Sequence, residues 1–495
     1  MRTVTRRAAL LGGGALAGGW TLQRYGANLP TYDGVTWIKP TGADGMLNDA
    51  SGLSETPVHK HLVLEGSRGD ALVAALRAEI KDAAEAGRAF NIGAARHSMG
   101  GQAIPREGHA VTFKGGFVEP DTAAGTYRVQ AGTRWSEVIA ALDPIGFGPS
   151  VMQSNHDFGV AATFCVNAHG WPVKMGPMGA TVQSFDMVMP DGALVSCSRT
   201  QNAELFSQTM GGYGLTGAIT EMVVEMAPNT WVYPSYETVP VAEFGTRFVD
   251  ALNDKTVTMA YGRMNVGRAR FFQDAVMITY RATDDQTDLP AASGSGAMAH
   301  LASRIYRWQL GREPMKRVRW WFEKDLAPML SDGQATRNSL INEPVATLDD
   351  RNPNRVDILH EYFISPDRFA DFVSLCQQII PSSFQEFLNV TLRFVDADAE
   401  SWLSYAYVPR IAAVMSFSQE MTARGDADMA RMTRSLIDGI LDIGGTYYLP
   451  YRPHATPEQM ARAYPRARDF AAEKRAVDPG LVFRNNLWDQ YLSQL

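Results

Sequence analysis

A glycine-rich loop after a short apolar strand constrains the fold of this chain more than any other feature. The strand is predicted at 89–93, and the loop reads Arg96-His97-Ser98-Met99-Gly100-Gly101-Gln102. Because glycine has no Cβ, a ligand can approach such a backbone closely. The bare N–H groups of the loop form a nest for a phosphate, and His97 adds a nucleophilic nitrogen. The loop therefore predicts a site for a phosphate-bearing ligand.

Further motifs with glycine and histidine follow the loop along the chain. They are Val129-Gln130-Ala131-Gly132-Thr133, Gly159-Val160-Ala161-Ala162-Thr163, Asn167-Ala168-His169-Gly170, Gly179, and Gly211 to Thr220. In this order, over about residues 57–230, the set resembles the FAD-linked oxidases of the vanillyl-alcohol oxidase type with their PCMH-type FAD-binding domain. The layout is most similar to that of aldonolactone and alditol oxidases.

This resemblance implies FAD as the cofactor, with a covalent bond to His97. The residues that it implies as holding FAD are Arg96, His97, Ser98, Met99, Gly100, Gly101, Gln102, Gly159, Thr163, Asn167, His169, Gly170, Gly179, Gly217, Ile219 and Asn485. A nicotinamide cofactor is not implied, because no Gly-x-Gly-x-x-Gly motif follows an early strand with an acidic residue about twenty positions later.

The C-terminal sequence adds a second likeness to the aldonolactone and alditol oxidases. Residues 478–486 resemble their Asp-Pro-x-x-x-Phe-x-Asn tail, which closes over the isoalloxazine or the substrate site. The resemblance implies that Asn485 or Asn486 donates a hydrogen bond in that site. The alternative interpretation is a helix C-cap followed by a turn.

The length of the chain predicts more than one domain. At 495 residues, the chain exceeds what one hydrophobic core covers. We predict an α+β protein with a two-subdomain α/β FAD-binding domain and an α+β substrate (cap) domain that contains an antiparallel sheet. The predicted divisions are a leader at 1–30, an extended arm at 31–56, the FAD-binding domain at 57–230, the cap domain at 231–445, and a C-terminal segment at 446–495 that returns to the flavin domain.

Hydrophobic periodicity predicts the elements of these domains. Apolar residues at helical spacing predict helices at 70–86, 135–142, 366–380 and 426–444. Stretches rich in Val, Tyr, Phe and Thr predict strands at 231–239, 257–263, 269–282, 358–364, 387–395, 412–418 and 447–451.

Composition and the N-terminus bear on partners and compartment. A net charge of −7 argues against nucleic acid as the main partner. The three cysteines cannot form a disulfide framework, and no metal site is predicted. Paired arginines Arg6 and Arg7 precede a short run rich in Gly and Ala, which resembles a bacterial twin-arginine export signal. We therefore predict an exported, periplasmic protein, with the leader either cleaved or kept as an anchor.

The catalytic residues are predicted less directly. In polyol and lactone oxidases a Glu-x-Arg strand presents a carboxylate and a guanidinium on one face. The matching strand here has Arg393, but Thr391 replaces the glutamate, which departs from the pattern of simple alditol and gulonolactone oxidases. Glu361 and His454 are the candidate bases. Tyr448 and Arg452, in the aromatic stretch before His454, are further candidates.

A basic and aromatic segment at 304–324 is unusual in an acidic protein. One interpretation is an amphipathic helix that rests on an anionic membrane surface, next to a lipid-linked or anionic substrate. The alternative is a solvated helix pair whose arginines extend along apolar surface.

Taken with the resemblance, these features predict an FAD-dependent oxidase or dehydrogenase. It would oxidise a CH–OH group of a sugar, polyol, lactone or related compound, and pass the electrons to oxygen or to a respiratory acceptor. The first alternative is a CH–NH dehydrogenase, because residues 97–103 also resemble the cytokinin dehydrogenases. The second is a non-catalytic flavin-binding protein that associates with a membrane.

Overall fold

The computed structural model describes residues 32–294, 306–330, 333–344 and 352–495. The predicted leader and the first residue of the predicted arm lie outside these ranges, and so do residues 304 and 305 of the basic segment. Among the described residues, no helix combines the length and the apolar composition needed to cross a bilayer.

A three-stranded parallel sheet forms the first subdomain. After the short hairpin of β1 (Met46–Leu47) and β2 (Thr56–Pro57), its strands are β3 (Lys60–Glu65), β4 (Phe90–Ile92) and β5 (His109–Lys114), in the order β3-β5-β4. The helix Gly69–Glu85 connects β3 to β4 and buries Leu72, Leu76 and Ile80, which recur at helical spacing. The glycine-rich loop leaves the sheet where β4 ends.

An antiparallel sheet forms the second subdomain. Its strands are β6 (Val118–Asp121), β7 (Thr126–Gln130), β8 (Phe147–Pro149), β9 (Val182–Val188), β10 (Leu194–Ser198) and β11 (Ala218–Pro228). Their order is β10-β9-β11-β7-β6, and β8 pairs with β11. The helices Trp135–Leu142, Val160–Cys165 and Ala203–Thr209 complete it. One hydrophobic core spans both subdomains and includes Leu76, Phe113, Trp135 and Phe185.

An eight-stranded antiparallel sheet forms the cap domain. Its strands are β12 (Trp231–Pro240), β13 (Val257–Met264), β14 (Asp274–Ala282), β15 (Ala335–Thr336), β16 (Arg355–Ile364), β17 (Glu386–Val395), β18 (Arg410–Glu420) and β19 (Thr446–Tyr447), in the order β15-β12-β14-β13-β17-β18-β16-β19. The helices Phe244–Leu252, Phe369–Ile379 and Ala423–Asp442 pack their apolar sides into one core with the strands. The helices Glu313–Trp321, Ala327–Leu330 and Arg337–Ile341 lie between β14 and β16 in the chain.

The C-terminal segment runs back to the first subdomain. It contains the helices Pro457–Ala463, Ala467–Val477 and Asn486–Gln490. Between the last two, Phe90 N donates to Val482 O at 2.6 Å, and Arg484 N donates to Phe90 O at 3.2 Å. The tail therefore lies alongside β4, next to the start of the glycine-rich loop.

The α+β prediction is confirmed, and two strand predictions were too long. The predicted strand at 447–451 stops at Tyr447, because Pro450 and Pro453 lack the N–H that a ladder needs. The predicted strand at 269–282 begins only at Asp274, since Arg268–Arg270 form a 3-10 turn and Phe272 has a φ of 54°.

Candidate active site

The glycine-rich loop is held at several points by other parts of the chain. Met99 N donates to Pro450 O at 2.7 Å, and Gly101 N donates to Asp49 Oδ2 at 2.8 Å. Gln102 Nε2 donates to the carbonyls of residues 449 and 451 at 2.6 and 2.9 Å. The arm and the stretch after β19 therefore fix the loop.

The two glycines at the end of this loop are required for packing. A Cβ on Gly100 would lie 2.8 Å from Pro453 Cδ and 2.9 Å from Tyr451 O. Gly101 has a φ of +70°, and a Cβ there would overlap Asn486 Nδ2. Close contact with the chain itself, rather than with a ligand, therefore explains Gly100 and Gly101.

Three loops meet where β4 ends. The ring of His97 packs against Phe158, with 4.4 Å between centroids. A Cβ on Gly159 would lie 3.1 Å from Ala94 Cβ, and Asn91 Nδ2 donates to Gly214 O at 3.5 Å. The loops around residues 93–103, 153–170 and 210–217 therefore form one continuous surface.

The start of the glycine-rich loop has the donors that a pyrophosphate needs. The backbone N–H groups of Ala94, Ala95, Arg96 and Ser98 have no acceptor within the described ranges. Arg96 Nη1 donates to Thr112 Oγ1 at 3.0 Å, while its Nε and Nη2 are buried without a partner among the residues that the structure describes. Burial lowers the pKa of the Arg96 guanidinium to about 10. Unpaired N–H groups around a buried cation suit the phosphates of FAD.

Several other predicted cofactor residues are engaged within the chain. Thr163 Oγ1 accepts from Trp135 Nε1 at 2.9 Å. Asn167 Nδ2 donates to Asp398 Oδ2 at 2.9 Å, and Asn167 Oδ1 accepts from Gly179 N at 2.8 Å. Thr163 and Asn167 therefore stabilise the loops through hydrogen bonds within the chain.

The remaining predicted cofactor positions are closely packed. A Cβ on Gly170 would overlap Met152 O, and one on Gly179 would overlap Met210 Sδ. A Cβ on Gly217 would lie 2.9 Å from Met187 Sδ, and Ile219 is buried. Packing within the chain therefore accounts for these three glycines.

Asn485 caps a helix at its N-terminus rather than at its C-terminus. Its Oδ1 accepts from Trp488 N at 3.1 Å, and its Nδ2 donates to Tyr213 O at 3.0 Å. Both functions of the amide are thus used within the chain. The C-cap followed by a turn is present at the start of the tail, where Asp478 caps the helix Ala467–Val477 and residues 479 and 480 form a turn. Asn485 itself contacts the loop at 210–217.

The cap sheet presents two rows of side chains to the flavin domain. Direct cross-strand partners share a face. The register places Arg263, Thr391, Val414 and Glu361 in one row, and Arg393, Ala412 and Phe363 in the next. Val414 thus lies between Thr391 and Glu361, and Ala412 lies between Arg393 and Phe363.

Glu361 is the centre of a buried polar cluster. Its Oε1 is in hydrogen-bond contact with Nε2 of His169, and its Oε2 accepts from the hydroxyl of Tyr451 at 3.1 Å. Glu361 is 3% exposed and His169 is 4% exposed, and His169 Nδ1 is buried with no partner among the described residues. The cluster therefore joins the cap sheet to the flavin domain through a carboxylate and an imidazole.

Arg393 also joins the two domains. Its Nη2 donates to Ser154 Oγ, which accepts as well from Trp171 Nε1 at 2.8 Å. Its Nε is buried and has no partner in the described part of the chain. Burial lowers the pKa of the Arg393 guanidinium, while the negative charge of Glu361 opposes that shift. Arg393 and Glu361 thus face the same space between the domains.

Aromatic side chains form a wall beside Glu361. Tyr448 donates its hydroxyl to Val166 O at 2.8 Å, and Tyr405 donates to Asn167 O at 2.5 Å. The ring of Phe363 lies 5.7 Å from that of Tyr448 and 4.1 Å from that of Tyr405. Burial raises the pKa of Tyr448 well above its usual value. Tyr448 is therefore placed to exclude water and not to exchange a proton.

His454 lies on the other side of the cap sheet from Glu361. Its Nδ1 is 3.2 Å from Thr433 Oγ1, and its ring centroid is 6.0 Å from that of His360. His360 precedes Glu361 in β16 and so points to the opposite face. Burial lowers the pKa of His454, while the nearby carboxylate of Asp426 acts to raise it. The structure does not bring His454 to the cluster.

Arg452 connects three segments outside the cluster. Its Nη1 donates to Ser54 Oγ and to Met99 O, both at 3.2 Å, and its Nη2 donates to Asp426 Oδ1 at 3.3 Å. It therefore ties the arm and the glycine-rich loop to the first turn of the helix Ala423–Asp442. Arg452 therefore positions the loop and does not contact the Glu361 cluster.

Sequence reasoning missed Tyr451 and the contact between His169 and Glu361. The sequence did mark the motif around His169 and the aromatic stretch that contains Tyr451. The contact itself joins residues 192 positions apart, which no local pattern indicates.

One cluster of possible metal ligands lies away from this site. Glu79, Asp82 and His109 bring their ligand atoms within 4.8 Å of one another. Lys60 Nζ lies 2.6 Å from Glu79 Oε2 and 3.8 Å from Asp82 Oδ2. The ammonium therefore already neutralises the carboxylates that a cation would need.

Comparison with known proteins identifies the first two subdomains. Residues 72–198 match the family described as FAD binding domain. The glycine-rich loop and the His169 motif both lie within the matched stretch. The chain therefore carries an FAD binding domain. Arg96 and the backbone donors beside it, which suit a phosphate, lie within this domain.

Individual relatives match less than half of the chain. Cytokinin dehydrogenase 8 of Oryza sativa subsp. indica is 31% identical over 146 residues, which is 28% of this chain and 27% of that protein. Alditol oxidase of a Streptomyces species is 28% identical over 108 residues, 22% of this chain and 26% of that protein. Putative D-arabinono-1,4-lactone oxidase of Neurospora crassa is 26% identical over 111 residues, 22% of this chain and 20% of that protein. These three matches thus span about a quarter of each relative.

Proposed function

We propose that this chain, which carries an FAD binding domain over residues 72–198, is an FAD-dependent oxidoreductase that oxidises a CH–OH group of a sugar, polyol, lactone or related compound. The observation that carries this proposal is the buried cluster of Glu361, His169 and Tyr451, which faces Arg393 between the FAD-binding domain and the cap sheet. Glu361 is the one carboxylate in the two rows that face the flavin domain.

Each side chain of this site has a separate role in alcohol oxidation. FAD, when bound, supplies the acceptor for the hydride of the donor carbon. Glu361 accepts the hydroxyl proton, while His169 and Tyr451 hold its two carboxylate oxygens. The Arg393 guanidinium stabilises the negative charge that develops on the donor oxygen. The rings of Tyr448, Tyr405 and Phe363 exclude water from one side.

We also propose that FAD is bonded to the protein through His97. The side chain lies in the loop whose N–H groups suit the phosphates, and its ring is held against Phe158. The expected result is a denatured protein band that fluoresces in acid, and a His97→Ala variant that loses this fluorescence. The exposed His59→Ala is the matched control and should keep it. A wild-type band without fluorescence would exclude the covalent bond.

The alternative function is the oxidation of a CH–NH bond. It is favoured by the match to cytokinin dehydrogenase 8. Anaerobic stopped-flow absorbance with alditols, aldonolactones and N6-substituted adenines separates the two. We expect the flavin band to bleach with a CH–OH donor and to persist with the adenines. Bleaching by the adenines alone would assign the alternative, and bleaching by no donor would favour a non-catalytic flavin-binding protein.

We further propose that the protein contacts a membrane surface. Five large apolar side chains are exposed along the segment 306–330. We call this set the apolar ridge; its members are Trp308, Val318, Trp321, Phe322 and Met329. Arg317 beside them is exposed and has no acidic partner among the described residues. Exposed apolar side chains and a basic residue in one segment fit an anionic lipid surface. Export through the leader and reoxidation by oxygen or a respiratory acceptor complete this proposal.

A further inference from the structure

Two guanidinium groups face the space beside Glu361. Arg263 Nη1 donates to Thr391 Oγ1 at 2.5 Å, and Arg393 Nη2 donates to Ser154 Oγ. In the described part of the chain, neither has a carboxylate oxygen within 4.0 Å, although Arg319 nearby is paired with Glu323 at 2.8 Å. The two cations are thus held in place by neutral hydroxyl groups.

The charges of the two rows do not balance. Arg263 and Arg393 bring two positive charges, and Glu361 brings one negative charge. Both arginines are half-buried, and the charge of Arg263 helps to lower the pKa of Arg393. An uncompensated charge away from water is unfavourable, so one further anion would complete the site.

The phosphates of FAD would bind at the start of the glycine-rich loop and not at Arg263 and Arg393. Among the described residues, the unpaired donors that suit a pyrophosphate are the backbone N–H groups of Ala94, Ala95 and Ser98 and the donors of Arg96, whose side chain is also bonded to Thr112 in the parallel sheet. Arg263 and Arg393 belong to the cap sheet. A substrate, which enters between the cap and the FAD-binding domain, is therefore the fitting source of the missing anion.

We propose that Arg263 binds an anionic group of the substrate, a carboxylate or a phosphate, while the CH–OH group of the substrate meets Glu361 and Arg393. This inference rests on the proposed function and names the substrate class for the same site: an acidic sugar derivative. Guanidinium groups bind both anions in a bidentate way. Arg263 and Glu361 are three strand spacings apart, about 14 Å between Cα positions at about 4.8 Å a spacing. The substrate therefore has several carbons between its anion and its reacting carbon.

Calorimetry and flavin reduction together test this proposal on the FAD-loaded protein. The probes are sorbitol, gluconate and glucose 6-phosphate, which differ in charge at similar length. We expect gluconate or glucose 6-phosphate to bind at least about 100-fold more tightly than sorbitol, because a charged partner is lost in the neutral probe. A preference for gluconate assigns a carboxylate, and a preference for glucose 6-phosphate assigns a phosphate.

The variant Arg263→Gln removes one cation and keeps a hydrogen-bond donor for Thr391. It should weaken the binding of the preferred anion about 100-fold and leave sorbitol binding unchanged. Arg247→Gln is the matched control, because Arg247 is exposed and already paired with Glu237 and Glu243. Equal binding of sorbitol and both anions, or full anion binding in Arg263→Gln, would overturn the anion site. Anion binding that Arg263→Gln abolishes, without bleaching by any donor, would keep the anion site and reject the oxidoreductase proposal.

Discussion

Glu361 illustrates what a single residue contributes to this site. Its carboxylate is buried, yet both oxygens have partners from other segments: the imidazole of His169 and the hydroxyl of Tyr451. A buried carboxylate without such partners would be strongly unfavourable. The same contacts fix the position in which the carboxylate can receive a proton from a donor in the space that Arg393 also faces.

Two substitutions of His169 test whether its ring acts through a hydrogen bond to Glu361 or only by packing. His169→Phe keeps a ring but leaves Glu361 without one of its two partners, so we expect flavin reduction to slow by about 100-fold. His169→Gln keeps an N–H donor and should retain most of the rate. Stopped-flow reduction and FAD content measured on both variants test this. Equal rates in the two variants would show that the imidazole does not act through Glu361.

At the scale of elements, the C-terminal tail shows how one carboxylate shapes a turn. Asp478 is buried and pairs with Lys474, and its two oxygens accept from Val482 N at 3.0 Å and Phe483 N at 2.8 Å. The turn places Phe483 against Phe90, with 5.1 Å between ring centroids. Burial lowers the pKa of the Lys474 ammonium to about 8, against the charge of Asp478. The tail motif thus serves to anchor the chain beside β4.

Asp478→Ala should therefore destabilise the protein strongly. The change leaves the ammonium of Lys474 buried without its partner and removes two acceptors, so we expect a loss of about 3–5 kcal/mol in the free energy of unfolding. Asp489→Ala, in the neighbouring short helix, is the control and should have a small effect. Urea denaturation followed by far-UV circular dichroism measures both. A loss below about 1 kcal/mol in Asp478→Ala would contradict the assigned role.

The sequence predicted the elements of this fold better than their contacts. The apolar spacing in the helix 69–85 and in the helix 423–442 is a local property, and both helices were expected within a few residues. The Glu-x-Arg comparison identified Arg393 but not the place of the carboxylate, because Glu361 lies on another strand and reaches the site through the register of β16, β18 and β17. His454 was predicted at the site for a related reason: it packs against the helix 423–442, on the opposite face of the cap sheet, and no local pattern indicates that contact.

At the scale of the whole molecule, charge and apolar exposure are unevenly distributed. The chain has a net charge of −7, yet its basic and aromatic segment carries Trp321 at 52% and Met329 at 80% exposure. The same segment is docked on the cap sheet, where Arg319 Nη2 donates to Asn389 Oδ1 at 2.9 Å. The helix Glu313–Trp321, which carries Val318 and Trp321 of the apolar ridge, therefore contacts the strand that also carries Thr391 and Arg393.

Vesicle binding tests the apolar ridge. We expect the protein to sediment with vesicles that contain phosphatidylglycerol and to be released by salt, which screens the basic residues. The double variant Trp321→Ser/Phe322→Ser should lose about tenfold or more in binding. Val408→Ser, which removes an exposed apolar side chain elsewhere, should bind as the wild type does. Sedimentation no greater than with pure phosphatidylcholine vesicles would exclude the membrane contact.

The visible spectrum of the purified protein, recorded before and after anaerobic addition of a CH–OH donor, is the decisive test of alcohol oxidation at Glu361. We expect the bands of oxidised flavin in the wild type and in Glu361→Gln. The wild type should bleach rapidly, and the variant should bleach at least about 100-fold more slowly. Glu237→Gln, at an exposed position of the cap sheet, should behave as the wild type does. A protein that is colourless and cannot be loaded with FAD would exclude the proposed flavin chemistry, and a Glu361→Gln variant that bleaches at the wild-type rate would exclude Glu361 as the base.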